Sequence, residues 1–568
     1  MKNVGVPLSQ WGRRSSFHGT LRGGDNVSRS PATEGRFGRM FRALAPASFE
    51  SDDLLKLGEK MEAEPEVNEQ TGKRNATPEK LGVAGDPTAP DDEENFGIPA
   101  GYTYLGQFID HDITFDPSTL SMQKNDPDAL IDFRTPRLDL DNIYGRGPAD
   151  QPYMFIDDRK FVLGNTHLSR GPNMPTSAVD LPRATNGRAI IGDKRNDENV
   201  IVSQLQNVFL RFHNAVCDHH RNAGFDEVQK LVRWHYQWML LTDFLPRIVG
   251  EDLLEGIWPG FHEHKFNVHT RPPELRFYKW HNDPFMPVEF SAAAYRFGHS
   301  MVRPIYRLSP ELIQPVGDED PSIHGRKFIF AADHLKGLNG FGPFPSSWAI
   351  DWSLFFELNG KHLDPTNLGP SRVQPSYKID TSLVNPLKFL PEFSVAKAGH
   401  PGDLDEKDGN PVQKRHDHSN LAARNLLRGA MLGLPSGQDV ARYMDVEVIP
   451  DAELRVGKAI VDELGTPGNS IVDVSERFAG NAPLWYYILA EAQRGWTKAA
   501  QASGGDDTAR NAIPVRLGPV GGRIVAEVLI GLIIGDHASM LWQAPNWQPT
   551  LKHGQFTMPD LIEFAGLA

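Results

Sequence analysis

Three ionisable side chains, Asp110, His111 and Asp112, stand side by side in the apolar run YLGQFIDHDITF at residues 104–115. A histidine in such a setting can serve as a base, a metal ligand or a hydrogen-bonded core residue, and the carboxylates beside it can cap a helix or hold a cation. On a helix, successive side chains lie about 100° apart, so Gln107 and His111 share a face while Asp110 and Asp112 diverge by about 200°. The triplet would then serve two or three different sites. Taken alone, it also reads as an Asp-capped helix with a core histidine.

Other segments supply groups that could meet it. RTPRLDLDNIYG places Thr135, the Arg137 carbonyl, Asp139 and Asp141 at alternate positions, an oxygen-rich loop of the kind that wraps a hard cation, and Asp112 could complete it. Alternate aspartates also occur in solvated turns. In GDKRNDEN, Arg195 and Glu198 are spaced i and i+3, one face of a helix that begins there, or a surface ion pair. AAAYRFGHSMVRP carries Arg296 and His299 at the same spacing in an apolar helix, and ARNLLRGAMLGLP carries Asn425 and Arg428. Each could instead be a satisfied polar residue in a core or loop.

The elements that must position these groups are mostly helical. Leu205, Val208, Phe209, Phe212 and Val216 fall on one helix face, and residues 231–250 continue in the same style with few alternating strand patterns. Residues 1–35 read as a flexible Gly, Ser and Arg-rich arm. Residues 62–95 and the Gly-rich stretches at 399–419 and 501–511 read as irregular. No repeat of fixed period occurs, so a single mainly α domain over residues 36–568 is expected. The run VAEVLIGLIIG at 525–535 is too short to cross a bilayer and reads as a buried core helix. A formal net charge of -14 argues against nucleic-acid and anionic-membrane partners. The single cysteine, Cys217, excludes an intramolecular disulfide, a cysteine-cluster metal site and thioether-linked haem. No apolar signal core follows Arg13 and Arg14, which suggests a cytoplasmic protein or export without a classical signal peptide.

In their order, these motifs resemble those of the animal-type haem peroxidases, the peroxidase–cyclooxygenase superfamily that includes myeloperoxidase and bacterial relatives, over roughly residues 95–550. The resemblance implies a large helical domain with little β structure. GQFIDHD then supplies His111 as distal histidine with Gln107 beside it, Asp110 as a haem-ester carboxylate and Asp112 as a calcium ligand. TPRLDLD is similar to the calcium loop, giving Thr135, Arg137, Asp139 and Asp141, the last where some relatives have serine. Arg195 and Glu198 correspond to the catalytic arginine and second ester-forming acid. His299 in YRFGHS corresponds to the proximal iron ligand, Asn425 to its hydrogen-bond partner, and Arg296 and Arg428 to propionate partners. Asn199 stands where myeloperoxidase has a methionine bonded to the haem, so that sulfonium link is not expected. The lack of disulfides and of a signal peptide points to a bacterial-type relative.

What the resemblance implies in function is a peroxidase carrying ester-linked haem b and calcium. It would use hydrogen peroxide to oxidise halide, thiocyanate or phenolic and aromatic donors through a ferryl intermediate. His111 would act as base and then acid, and Arg195 would supply charge where the O–O bond breaks. His299 must be neutral to bind iron, with Asn425 as an uncharged acceptor for its other nitrogen. A second reading comes from FYKWHNDPFMP at 277–287, which is similar to the tyrosine-x-tryptophan-histidine motif of the cyclooxygenase and fatty-acid dioxygenase branch. There Tyr278 would be the radical site and His281 the iron ligand. A third is an adhesion protein with a dead site, disfavoured by the complete catalytic set. CDHHR at 217–221 and RHDHS at 415–419 read as surface histidines, and His213 as a structural hydrogen-bonder.

Overall fold

Helices with one apolar face meet through that face, and the arrangement of the chain follows from a few such meetings. The computed structural model describes residues 37–63, 93–115, 132, 134–164, 180–280, 284–309, 326–330, 337–367, 369, 371–389, 405–407, 410–412, 420–460, 469–505, 507–552 and 554–568. The expected arm at 1–35 lies outside them. The longer helices that frame the site are α1 (Ser51–Lys60), α2 (Gly101–Ile113), α3 (Val200–His219), α4 (Phe225–Met239), α5 (Leu421–Met431), α6 (Leu484–Ser503) and α7 (Pro519–Gly535). The protein is mainly helical, as its periodicity predicts.

Helix α3 begins at Asn199, whose side-chain oxygen accepts from the Ile201 and Val202 amides at 3.1 and 2.9 Å. It buries the five apolar residues that mark its face in the sequence. Helix α2 lies along α3, with Phe108 stacked on Phe209 at 4.2 Å between ring centroids. The apolar run at 525–535 is buried within α7, and among the described residues no helix is long and apolar enough to cross a membrane. The first turn of α7 is held by Glu491 of α6, whose buried carboxylate accepts from the Val520 and Gly521 amides. Helices α1 and α5 approach closely at Gly58, where a Cβ would lie 2.7 Å from the Ala423 backbone.

Strand structure among the described residues is confined to five two-stranded pairs. Two of them correct the expectation of irregular chain. Glu94 and Asn95 belong to the strand Glu94–Pro99, paired with Pro375–Tyr377, and Asp405–Lys407 pairs with Asn410–Val412 within the Gly-rich stretch. Helix α6 also runs into the third stretch as far as Ser503, and a short helix spans Asp507–Asn511.

Helix α4 passes into a π turn at Leu240–Phe244, and the extra residue brings Asp243 into a buried junction. Its carboxylate accepts from the Tyr102 hydroxyl at 2.7 and 2.8 Å, from Arg247 Nε at 3.0 Å and from the Met558 amide at 2.8 Å. The start of α2 is thereby tied both to α4 and to the segment around residue 558. The buried apolar side chains form one continuous cluster from Met40 to Ala565.

Two core histidines give this core an acid sensitivity. His213 accepts from the Tyr144 hydroxyl at 3.0 Å through Nδ1 and donates from Nε2 to the Arg159 carbonyl at 2.8 Å, the hydrogen-bonding role its position predicts. His235 donates from Nδ1 to the Leu231 carbonyl at 2.7 Å. Burial lowers each pKa to about 4. The unfolded chain protonates these sites near pH 6.5, so their contribution to stability is lost progressively as pH falls from about 6.5 toward 4. The urea midpoint should therefore drop over that interval, and His213→Gln should make the drop shallower. Equal slopes for the variant and the natural protein would exclude His213 as a contributor.

Candidate functional site

His111 and Gln107 occupy one face of α2, a turn apart. His111 is buried, with Nδ1 2.7 Å from Asn196 Oδ1, while Asn196 Nδ2 donates to Gln206 Oε1 at 2.8 Å. An amide oxygen only accepts, so the imidazole proton sits on Nδ1 and the Nε2 lone pair is left for chemistry. Burial and then the neighbouring Arg195 charge lower the histidine pKa to about 4. Gln107 is half-buried, and its Oε1 accepts from Asn199 Nδ2 at 3.1 Å.

Arg195 and Glu198 precede α3 rather than belonging to it. Residues Lys194–Asp197 form a 3₁₀ turn capped by Asp193, and the α-helix begins only after Asn199 provides its cap. Three residues per turn still set Arg195 and Glu198 on one side. The Arg195 guanidinium donates through Nη2 to the His111 and Thr114 carbonyls at 3.1 and 2.5 Å and to Asp193 at 2.8 Å, and it stacks on Phe115 at 4.7 Å. Asp193 is also held by Arg134 at 2.7 Å. Burial alone would raise the Asp193 pKa, but Arg195 and Arg134 outweigh it and hold the carboxyl far below the usual range. Glu198 is clamped from outside, since the Gly340 and Phe341 amides donate to the Glu198 and Asp197 carbonyls at 3.0 and 2.5 Å. A Cβ on Gly340 would lie 1.9 Å from the Asp197 oxygen, so only glycine permits this approach. Asp110, on the half-exposed side of α2, accepts from Thr114 Oγ1 at 3.0 Å.

The loop at 134–141 meets the other side of α2. One carboxylate oxygen from each of Asp112, Asp139 and Asp141 lies within 4.8 Å of the others. Asp112 is fully buried and neither of its oxygens has a hydrogen-bond partner, so the group is left to protonation or a cation. Burial, reinforced by Asp139 and Asp141, raises its pKa well above the carboxylate range, and burial lifts Asp141 to about 7 despite Arg134. Thr135 Oγ1 donates to Asp139 at 3.0 Å, and the Arg137 amide donates to the Thr135 carbonyl at 2.7 Å. The donor set is that of a hard-cation site.

On the facing side, Ala294–His299 is a 3₁₀ turn and not the expected α-helix, and it packs against α2. Residues i and i+3 eclipse in such a turn, so Arg296 and His299 remain neighbours. His299 Nδ1 lies 2.8 Å from Asn425 of α5. The amide presents Nδ2 to the imidazole and not the expected acceptor oxygen, because Arg296 Nη1, which only donates, takes Oδ1 at 3.2 Å. Arg428 follows one turn later on α5, half-buried. Burial and Arg296 lower the His299 pKa to about 3. His299 and Gly298 are half-buried among the buried Tyr295, Phe297, Ser300 and Met301, and a Cβ on Gly298 would meet no atom within 4 Å. The buried Tyr295 hydroxyl, near Asp110, has no hydrogen-bond partner. A neutral imidazole beside the open face of Gly298, with Arg296 next to it and Asp110 near Tyr295, would fit a flat anionic group such as haem.

The competing tyrosine motif is otherwise employed. Tyr278 is fully buried, and its hydroxyl donates to the Phe285 carbonyl at 2.6 Å. The Arg276, Phe277 and Tyr278 amides all donate to buried Glu527 of α7, at 3.1, 2.7 and 2.9 Å. His281 lies outside the described residues, as do Arg415 to Ser419. Of the CDHHR cluster, His219 is exposed whereas His220 is half-buried. Sequence reasoning passed over Asp193, Asn196 and Arg134. Asp193 carried a signal, a cap residue two positions before Arg195.

Residues 120–350 match the family model described as animal haem peroxidase, a window that contains Arg195 and His299 but begins after α2. Canine thyroid peroxidase is 26% identical over 193 residues, covering 30% of this chain and 19% of that protein. A peroxidase-like protein of Margaritifera margaritifera is 26% identical over 266 residues, 36% of this chain and 32% of that protein. Drosophila melanogaster peroxidasin is 26% identical over 230 residues, 37% and 14% respectively. The chain thus spans less than a third of the length of each of these relatives. In fold, peroxidase A of Dictyostelium discoideum superposes with a TM-score of 0.51 at 13% identity, covering 95% of both chains. A fatty acid alpha-dioxygenase of Arabidopsis thaliana gives 0.51 at 14% identity, covering 94% of this chain and 77% of that one. Residues 120–350 are thus similar to the animal haem peroxidase family, and the helical fold is like that of peroxidase A.

Proposed function

We propose that the chain is a single-domain haem peroxidase that takes hydrogen peroxide and a small donor such as halide, thiocyanate or a phenol. The observation that carries this reading is His111: a buried, neutral imidazole whose proton is fixed on Nδ1 by Asn196, leaving Nε2 as a base. Such a group takes a proton from one oxygen of a peroxide and returns it to the other, acting as base and then acid. Arg195 holds positive charge against the end of α2, where it offsets negative charge developing on a departing oxygen. His299 is the residue to hold the iron. Its Nε2 must be unprotonated for that, so the proton would belong on Nδ1, and Asn425 would then have to present its oxygen there rather than to Arg296. Arg428 would be the second propionate partner after Arg296, and Asp110 and Glu198 would be the carboxylates for ester attachment. Haem bound there would supply the redox iron at which peroxide is cleaved. The buried Tyr278 hydroxyl, bonded to the Phe285 carbonyl, favours the peroxidase reading over the fatty-acid dioxygenase one.

Asp112, Asp139 and Asp141, with Thr135 and the Arg137 carbonyl, would bind calcium and fix α2 from the side opposite His111.

Two measurements test the active-site assignments. His299→Ala should lose the Soret band of the haem-loaded protein. His111→Ala should keep it while slowing the spectral response to peroxide about a hundredfold or more, in line with the usual worth of a positioned acid–base group. Rapid mixing with peroxide alone reads this step, and an unchanged rate in His111→Ala would remove the proposed base.

The cation assignment predicts a reversal. Calcium should raise the melting midpoint of the natural protein, and chelation should lower it. Asp112→Asn removes an unpaired buried carboxylate, so it should melt no lower than the natural protein in chelator and should ignore added calcium. A calcium response that survives in Asp112→Asn would place the ion elsewhere.

A further inference from the structure

Asn199 is buried to 1% exposure at the junction of the 3₁₀ turn and α3, and both ends of its amide are committed. Its Oδ1 receives two backbone N–H groups as the helix cap, at 3.1 and 2.9 Å. Rotating the amide would set its NH₂ against those donors, so the cap fixes which way it faces. Nδ2 must then point away from α3, and there it meets Gln107 at 3.1 Å. Only the Gln107 oxygen can accept that bond. The Gln107 Nε2 is consequently turned outward with two N–H groups that find no acceptor among the described residues, on the face of α2 that carries His111.

We propose that Asn199 is a positioning residue that sets the polarity of the ligand side of His111: by consuming the Gln107 oxygen, it presents the Gln107 NH₂ to the ligand and so favours anions and oxygen acceptors. The inference rests on the haem-site reading above. It concerns a residue that acts through Gln107 and touches no ligand itself. The hydrophobic end of α3 does not require the Nδ2 group, since serine caps a helix as well as asparagine does. Asn199→Ser therefore separates the two roles, keeping the cap while its short hydroxyl falls away from Gln107.

The test is fluoride titration of the haem-loaded full chain, followed at the Soret band, in the natural protein, Asn199→Ser, Gln107→Leu and the double variant. Asn199→Ser should weaken fluoride binding roughly tenfold, the usual worth of one hydrogen bond to a charged partner, with little change in melting midpoint. In the Gln107→Leu background the same substitution should have no further effect. Equal losses in both backgrounds, or no loss in either, would overturn the proposal. If the chain takes up no haem, the functional reading fails on its own, and haem-free crystal structures decide the positioning claim. Gln107 should change its amide orientation or rotamer in Asn199→Ser; an unchanged Gln107 would overturn it.

Discussion

Asp193 is the charge on which both sides of α2 depend. It is buried between two guanidiniums, Arg134 and Arg195, and each reaches onward. Arg134 continues to Asp141 at 3.3 Å in the acidic cluster, and Arg195 continues to the carbonyls at the end of α2. Breaking a buried ion pair by removing one partner typically costs about 3–5 kcal/mol, because the other charge is left without compensation. A single carboxylate thus couples the cation loop to the histidine: the loop cannot shift without moving Arg134, and Arg134 shares its anchor with Arg195.

Around that ionic spine, orientation is set by uncharged amides. Asn196 assigns the tautomer of His111, Asn199 assigns the facing of Gln107, and Asn425 stands between Arg296 and His299. A carboxylate in any of these places would bring a second buried charge and pull a proton toward itself. A carboxamide has one donating end and one accepting end, so each neighbour dictates which end it shows. The two faces differ in what decides the matter. Backbone amides fix Asn199, whereas an arginine side chain fixes Asn425, and a side chain can be drawn to another anion.

Much of this was legible in the sequence because it is local or periodic. The apolar face of α3, the shared face of Gln107 and His111, and the divergence of Asp110 from Asp112 all follow from helical spacing, and the structure has them. The alternate aspartates of the loop do converge with Asp112. The 3₁₀ turns at Lys194–Asp197 and Ala294–His299 were not legible as such: too short for a period to show, they are held by tertiary contacts such as the clamp at Gly340 and the Trp485 bond to the Arg296 carbonyl. The role of Arg134 and the facing of Asn425 depend on partners far along the chain, at Asp193 and Arg296. The strand at Glu94–Pro99 exists only because Pro375–Tyr377 lies beside it. A polar composition carries no sign of that partner.

The junction at Asp243 sets the order in which the protein can be completed. Tyr102, at the start of α2, is joined through this carboxylate to the Met558 amide, so the helix bearing His111 is not fully tethered until the segment around residue 558 has been synthesised. The facing elements are likewise distant in sequence, from His299 to Asn425 on α5. Contacts of such separation form slowly, because the loops they close must lose their freedom before the contact repays it. A nascent chain emerging from the ribosome would therefore display α2 and α3 as apolar surfaces long before their partners arrive. The packing of α2 against the His299 turn would be among the last features to form, leaving the early helices to be guarded by chaperones until then.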